Sequence, residues 1–179
     1  MVFVNDAWNN TGEIVVYSNY HRYWLDKERK IKNPLFDVFS GRILDLKNGD
    51  PGAIRYFFKV LDAEILPDVT ICVVPSSDSE KKESGIAKLG HMLAENGRTD
   101  KVGYLIRTQS IPKLAHGGYR GPDVHIKSID TDQDMDIHGD VVLLMDDVTT
   151  TGNSLYACRE ILLAHGADQV EMFALGKAV

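Results

Sequence analysis

Two adjacent carboxylates followed by a run of hydroxyl side chains form the part of the chain best suited to chemistry. The stretch is VVLLMDDVTTTGNSL, at residues 141–155. Five apolar residues lead directly into Asp146 and Asp147, and a turn rich in hydroxyl groups follows: Thr149, Thr150, Thr151, Gly152, Asn153 and Ser154. The pattern predicts a buried strand that ends at two acids and turns into a helix.

The turn is suited to a phosphate monoester. Backbone N–H groups at a helix N-terminus are unpaired and lie at the positive end of the helix dipole, so they favour an anion. Threonine and serine hydroxyls add donors, and Gly152 removes a Cβ where a phosphate must approach closely. The aspartates need another partner, because carboxylates repel phosphate. The vicinal hydroxyls of a ribose can donate to both, so the residues predict a sugar 5-phosphate ligand.

Other phosphate motifs fit the chain poorly. A Walker-type loop needs Gly-Lys before a helix, and the single Gly-Lys pair, Gly176-Lys177, is close to the last residue of the sequence. A phosphatase motif of the D-x-D-x-T kind needs an acid at position 148, which is Val148. A buried strand with a capped, threonine-rich turn and no ligand is the remaining structural alternative.

The stretch VVLLMDDVTTTGNS resembles the signature of type I phosphoribosyltransferases, and the overall layout is most similar to their ComF-like branch. The resemblance implies transfer of a phosphoribosyl group from 5-phosphoribosyl-1-pyrophosphate (PRPP) to a small nitrogenous acceptor, with release of pyrophosphate. It assigns Asp146 and Asp147 to the ribose hydroxyls as catalytic residues, and it assigns the 5-phosphate to the residues from Thr149 to Ser154.

The resemblance extends to two more segments. Ser76, Ser77 and Asp78 fall where the family has a loop that touches pyrophosphate. Residues 107–140 fall where it has a mobile lid. The basic residues assigned to this lid are Arg107, Lys113 and Arg120, and His116, His125 and Lys127 add positive charge to the segment. An ordinary solvated loop is the alternative for the second segment.

The expected cofactor is Mg²⁺, bound through PRPP and near Asp146, because this ion prefers ligand oxygens and water to an all-protein cage. The rival function is a non-catalytic module that binds PRPP or nucleotides and regulates other proteins. Relatives that salvage 6-oxopurines carry an acid two residues before the glycine of the turn, where this chain has Thr150. We therefore expect slow or absent transfer to hypoxanthine and guanine.

The remaining elements must place these residues at one edge of a sheet. Apolar segments at 14–17, 41–46, 69–75, 102–106 and 169–175 read as strands. After Asp50, Ser84 and Gly152, apolar residues recur at the spacing of a helix. The alternation predicts an α/β fold, a single-domain parallel sheet of four to five strands flanked by helices. Residues 1–48 would form a small N-terminal cap, and residues 49–179 the core.

Composition excludes some classes of partner. The formal net charge is −6, which disfavours nucleic acid and anionic membrane surfaces. No apolar run approaches a membrane span, and no signal peptide is visible. Cys72 and Cys158 lie in apolar stretches, as expected of reduced, buried thiols. We expect a cytoplasmic protein, and a homodimer is left open.

Overall fold

The structure is a computed structural model that describes residues 1–9, 12–80, 83–111 and 122–179. A short 3₁₀ helix, Asp6–Trp8, precedes the first strand. The strands are β1 Ile14–Tyr20, β2 Trp24–Asp26, β3 Ile31–Lys32, β4 Thr70–Val73, β5 Thr99–Asp100, β6 Leu105–Arg107, β7 Ile129–Thr131, β8 Val141–Thr149 and β9 Gln169–Ala178. The helices are α1 Val38–Lys47, α2 Pro51–Asp62, α3 Gly85–Glu95, α4 Pro122–Ser128 and α5 Asn153–Ala164.

The central element is a five-stranded sheet with the order β1-β9-β8-β4-β5. Every neighbouring pair in it is parallel. Two antiparallel ribbons, β2–β3 and β6–β7, lie outside this sheet. The predicted α/β fold with a parallel sheet flanked by helices is confirmed.

Helices cover both faces of the sheet. Alternate residues of a strand point to opposite faces, and β8 divides its apolar residues accordingly. Leu143 and Met145 pack in the core that holds the apolar residues of α1, α2 and α3. Val142 and Leu144 pack in the second core, against α5. Each fully buried aliphatic side chain contributes about 1.5–3 kcal/mol, so β8 is anchored on both sides.

The two cysteines lie on the α5 side of the sheet, and both are free and buried. Burial raises the pKa of each thiol well above its ordinary range. Both thiols therefore stay protonated near neutral pH and act as small apolar side chains.

The segment predicted as a strand at residues 41–46 is helical, so that prediction is wrong. It belongs to α1, which begins after Asp37, and the Asp37 side chain accepts a hydrogen bond from the Ser40 backbone N–H as an N-cap. Ile43 and Leu46 are both fully buried, one helical turn apart. The spacing of the apolar residues is compatible with a strand or a helix, and the N-cap at Asp37 favours the helix.

The strand predicted at residues 102–106 is also corrected. The fifth strand of the main sheet is β5, which ends at Asp100. The Asp100 side chain then accepts from the Val102 N–H, and the Tyr104 N–H bonds the carbonyl of Lys101. This aspartate turn redirects the chain, so that β6 pairs with β7 instead.

The N-terminal segment contributes to the main sheet as well as to its surroundings. β1 is an edge strand that pairs with β9, whereas β2 and β3 form a separate ribbon. The division of the chain into a cap of residues 1–48 and a core of residues 49–179 stays a prediction.

Among the described residues, no helix is both long enough and apolar enough to span a bilayer.

Candidate functional site

The two aspartates lie near the carboxyl end of β8, the middle strand of the main sheet. β8 is flanked by β4 and β9, and Met145 pairs with Val73 on one side and with Phe173 on the other. Ligands of open parallel sheets bind beyond the carboxyl ends of such strands. The sequence therefore places both carboxylates where this fold class binds its ligands.

Asp146 is half-buried and faces the start of α5. Its Oδ1 accepts a hydrogen bond of 2.8 Å from the Asp147 backbone N–H, and Ser154 Oγ lies 3.5 Å from its Oδ2. Burial, followed by the charge of Asp147, raises the pKa of Asp146 to about 7. This carboxyl can therefore exchange a proton near neutral pH.

Asp147 faces the opposite side of β8 and meets a lysine that the sequence analysis missed. Lys47 Nζ, in the last turn of α1, donates to Asp147 Oδ1 at 2.5 Å. The same oxygen accepts from the Val148 backbone N–H at 2.6 Å. The two ionic partners are 100 residues apart in the chain, and no local sequence pattern signals such a contact.

The turn after β8 has the geometry of an anion site. Gly152 is the N-cap of the 12-residue helix α5, with a left-handed φ of 83° and no side-chain capping bond. Thr149 Oγ1 is buried and has no hydrogen-bond partner among the described residues. Uncapped N–H groups and an unsatisfied hydroxyl both favour a ligand with acceptor oxygens.

This turn encloses a small cavity of about 120 Å³. All six residues predicted to hold the 5-phosphate line it: Thr149, Thr150, Thr151, Gly152, Asn153 and Ser154. His125 and Val148 complete the wall. The structure thus brings the predicted phosphate-binding residues around one space.

A larger cavity of about 340 Å³ adjoins the first. Its wall contains Asp146 and Asp147 together with Ser76, Ser77 and Asp78. The two cavities share three wall residues: His125, Val148 and Ser154. The two carboxylates and the predicted pyrophosphate loop therefore face a common space beside the hydroxyl-rich turn.

Arg107 adjoins the loop of residues 76–78 and lines the larger cavity. It is 7% exposed, and its Nε donates to the Ser76 carbonyl at 3.0 Å while its Nη1 donates to Ser128 Oγ at 2.5 Å. The guanidinium thus ties β6 to the loop and to α4. Its role in a lid stays a prediction, and Lys113 and Arg120 lie outside the described residues.

His125, from α4, is a second wall residue, which the sequence analysis counted only among the basic residues of the lid segment. It is 4% exposed and lines both cavities. Its burial between the two spaces marks it as part of the site.

The described residues contain no group of three or more histidine, cysteine, aspartate or glutamate side chains placed to hold an ion.

Comparisons with known proteins gave structural similarity only. No protein-family model matches the chain, and no curated protein matches it. Similar solved structures include a hypoxanthine phosphoribosyltransferase from Trypanosoma cruzi, at 14% identity and a TM-score of 0.38 over 78% of this chain and 66% of that one. The chain thus spans slightly less than two thirds of that enzyme.

Two further solved structures have comparable similarity. A purine phosphoribosyltransferase from Pyrococcus horikoshii Ot3 shows 15% identity and a TM-score of 0.37, over 79% of this chain and 86% of that one. A hypoxanthine phosphoribosyltransferase from Staphylococcus aureus shows 15% identity and a TM-score of 0.37, over 76% of this chain and 74% of that one. At such values the function has to be argued from the site itself.

Proposed function

We propose that the protein transfers a phosphoribosyl group from PRPP to a nitrogenous acceptor and releases pyrophosphate. The observation that carries the proposal is the adjacency of two features. The uncapped turn of α5, with the unpartnered Thr149 hydroxyl, lies beside a cavity walled by Asp146 and Asp147. A sugar that carries a phosphate and a diol matches both features.

The turn would hold the 5-phosphate of the donor. The Ser154 and Leu155 N–H groups of the first turn of α5 receive no side-chain cap, because Gly152 has no side chain to supply one. Thr149 Oγ1 would gain the acceptor that it lacks in the protein alone. Binding a phosphate here therefore satisfies groups that the fold leaves unsatisfied.

The two aspartates would then meet the ribose ring. Their oxygens accept hydrogen bonds from the 2- and 3-hydroxyls, which orients C1 toward the acceptor. As the bond from C1 to pyrophosphate breaks, the electron pair leaves with pyrophosphate and the ring becomes cationic. Nearby carboxylates stabilise that charge, the acceptor nitrogen donates its lone pair to C1, and its proton passes to solvent.

The larger cavity also offers a place for the leaving group. Backbone and hydroxyl donors of the Ser76–Asp78 loop, which Arg107 supports, would contact the pyrophosphate. Carboxylate oxygens of Asp78 and Asp146 in the wall fit the ligand preference of Mg²⁺, which would take its other ligands from phosphate and water. When bound, this ion would neutralise charge on the leaving pyrophosphate.

Calorimetry tests the proposal. We expect PRPP to bind, to bind more tightly with Mg²⁺, and ribose 5-phosphate to bind without it. No binding of either ligand at millimolar concentration would overturn the proposal. Pyrophosphate release with a panel of acceptors separates an enzyme from the rival, a non-catalytic PRPP-binding module. Assignment to the ComF-like branch rests on the sequence resemblance alone.

A further inference from the structure

One carboxylate oxygen of Asp147 accepts hydrogen bonds within the protein, and the other is left for a ligand. Its Oδ1 accepts both from Lys47 Nζ, at 2.5 Å, and from the Val148 N–H, at 2.6 Å. Its Oδ2 accepts no hydrogen bond from any described residue, and the side chain lines the larger cavity. Two donors on one oxygen fix the plane of a carboxylate, so the orientation of Oδ2 is set before any ligand arrives.

The position of Lys47 is itself fixed by the packing of α1. Leu46, the preceding residue, is fully buried, and its carbonyl oxygen lies against Gly85 at the start of α3. A Cβ at position 85 would be 1.7 Å from that oxygen. The last turn of α1 is therefore seated on α3, with the Lys47 side chain in the wall of the larger cavity.

The Lys47–Asp147 contact differs from the exposed, local ion pairs and, like Arg98–Asp62, joins residues far apart in the chain. Arg29–Asp26 and Lys88–Glu83 join residues close in the chain, and at least one side chain of each pair is half exposed or more. Such pairs contribute little to stability. Lys47 and Asp147 have side-chain exposures of 36% and 19%, and they connect α1 to the middle strand of the sheet. This pair joins distant elements at the cavity itself.

We propose that Lys47 is a positioning residue for the donor site: it holds Asp147 so that Oδ2 accepts a hydrogen bond from one ribose hydroxyl. The inference rests on the proposed function. Lys47 itself need not touch the sugar, because its ammonium is engaged with Oδ1 and Oδ2 is left for the ligand. Loss of the lysine would free the carboxylate to rotate, and the contact with that hydroxyl would weaken.

The test compares three ligands by calorimetry: ribose 5-phosphate and its 2-deoxy and 3-deoxy analogues. In the wild-type protein, removal of the hydroxyl that meets Oδ2 should weaken binding roughly tenfold, as expected for a charge-assisted hydrogen bond. In Lys47→Met this penalty should shrink to roughly threefold or less. Lys47→Arg should keep most of the penalty, because it retains the charge and the donors.

Lys59→Met is the matched control, since Lys59 is an exposed lysine in the last turn of α2. If Lys47 had a purely structural role, Lys47→Met would weaken the binding of all three ligands equally, and that result would overturn the inference. A penalty for the missing hydroxyl that stays the same as in the wild type would also overturn it. Lys47→Gln repeats the measurement if the methionine variant melts early. Absence of ribose 5-phosphate binding by the wild-type protein would instead refute the proposed function.

Discussion

The carbonyl oxygen of Leu46 and the α-carbon of Gly85 lie so close together that no side chain fits between them. A Cβ built at position 85 would be 1.7 Å from the carbonyl oxygen and 2.7 Å from the carbonyl carbon. Both atoms belong to the backbone and cannot rotate away. The contact between the end of α1 and the start of α3 therefore requires glycine.

We expect Gly85→Ala to lower the free energy of unfolding by about 2–3 kcal/mol, because two helices must separate to admit one methyl group. Urea denaturation measures the change. Gly103→Ala is the control, since a Cβ there would be 3.8 Å from Met135 Cε, an ordinary contact. Equal stability of the two variants would show that α1 shifts freely over α3.

Gly152 combines a left-handed backbone with a crowded neighbourhood. Its φ is 83°, and a Cβ would be 2.5 Å from Ile14 Cδ1. Gly139 has φ 80° with nothing within 4 Å of a Cβ. Gly139→Ala should therefore cost only the backbone penalty of about 1 kcal/mol. Gly152→Ala should cost about 1 kcal/mol more, because the ends of the Ile14 and Tyr156 side chains must shift.

The same two variants separate stability from ligand binding. Only Gly152→Ala should weaken the binding of ribose 5-phosphate, because the added methyl group displaces the turn at the start of α5. Chemical denaturation and calorimetry on both variants provide the two readouts. If Gly139→Ala weakens the binding of ribose 5-phosphate as much as Gly152→Ala does, the assignment of the phosphate to this turn loses its support.

Asp146 should make the stability of the protein depend on pH. Its pKa is raised from 3.8 to about 7, mainly by burial and then by the charge of Asp147. Between these values the folded protein holds a proton that the unfolded chain has released. The free energy of unfolding therefore loses a contribution as pH rises from about 4 to about 7, and it regains that contribution on acidification.

We expect Asp146→Asn to remove this dependence, because an amide does not ionise. The variant should exceed the wild type in stability by up to about 4 kcal/mol near pH 8, with little difference near pH 4. Denaturation across this pH range measures the effect, with the exposed residue Asp45 changed to Asn as a control. A constant difference between variant and wild type at every pH would contradict the shifted pKa.

Much of this site could be predicted because it is local in sequence. A buried strand that ends at Asp146 and Asp147, followed by a glycine and hydroxyl groups, fixes the contents of the turn and its place at the edge of the sheet. The strand and the helix after it were predicted correctly. Local periodicity also predicted α2 and α3.

The features that escaped prediction depend on contacts between distant residues. Lys47 resembles any lysine at the end of a helix, and only the packing of α1 on α3 brings it to Asp147. The segment around Ile43 was misjudged because its apolar residues suit either period and the N-cap at Asp37 was missed. Burial of His125 and Arg107 likewise follows from tertiary packing.

Asp147→Asn should separate folding from transfer. The amide keeps the size of the carboxylate but cannot stabilise a cationic ribose, so kcat/KM should fall about 10²–10³-fold. The melting temperature should change little, because the amide oxygen of asparagine can still accept from Lys47 and from the Val148 N–H. Pyrophosphate release and thermal unfolding give the two measurements. Equal turnover in the variant would refute the catalytic assignment.

The choice of acceptor gives the last prediction, and it depends on Thr150. This residue lines the smaller cavity two positions before Gly152, where the family that the sequence resembles carries an acid in its 6-oxopurine enzymes. A threonine hydroxyl neither carries a charge nor takes up a proton near neutral pH. Transfer to hypoxanthine or guanine should therefore be slow or absent, whereas adenine, orotate or another nitrogenous acceptor remains open.

An acceptor screen that follows pyrophosphate release tests this expectation. Thr150→Asp should raise turnover of hypoxanthine relative to the wild type, because a carboxylate can then polarise the purine ring. Thr150→Asn should not raise it, because asparagine matches the shape of aspartate without its charge. Efficient turnover of hypoxanthine or guanine by the wild-type protein would show that another group supplies this interaction. In that case the carboxylates of the larger cavity, Asp78 first, would be the next residues to change.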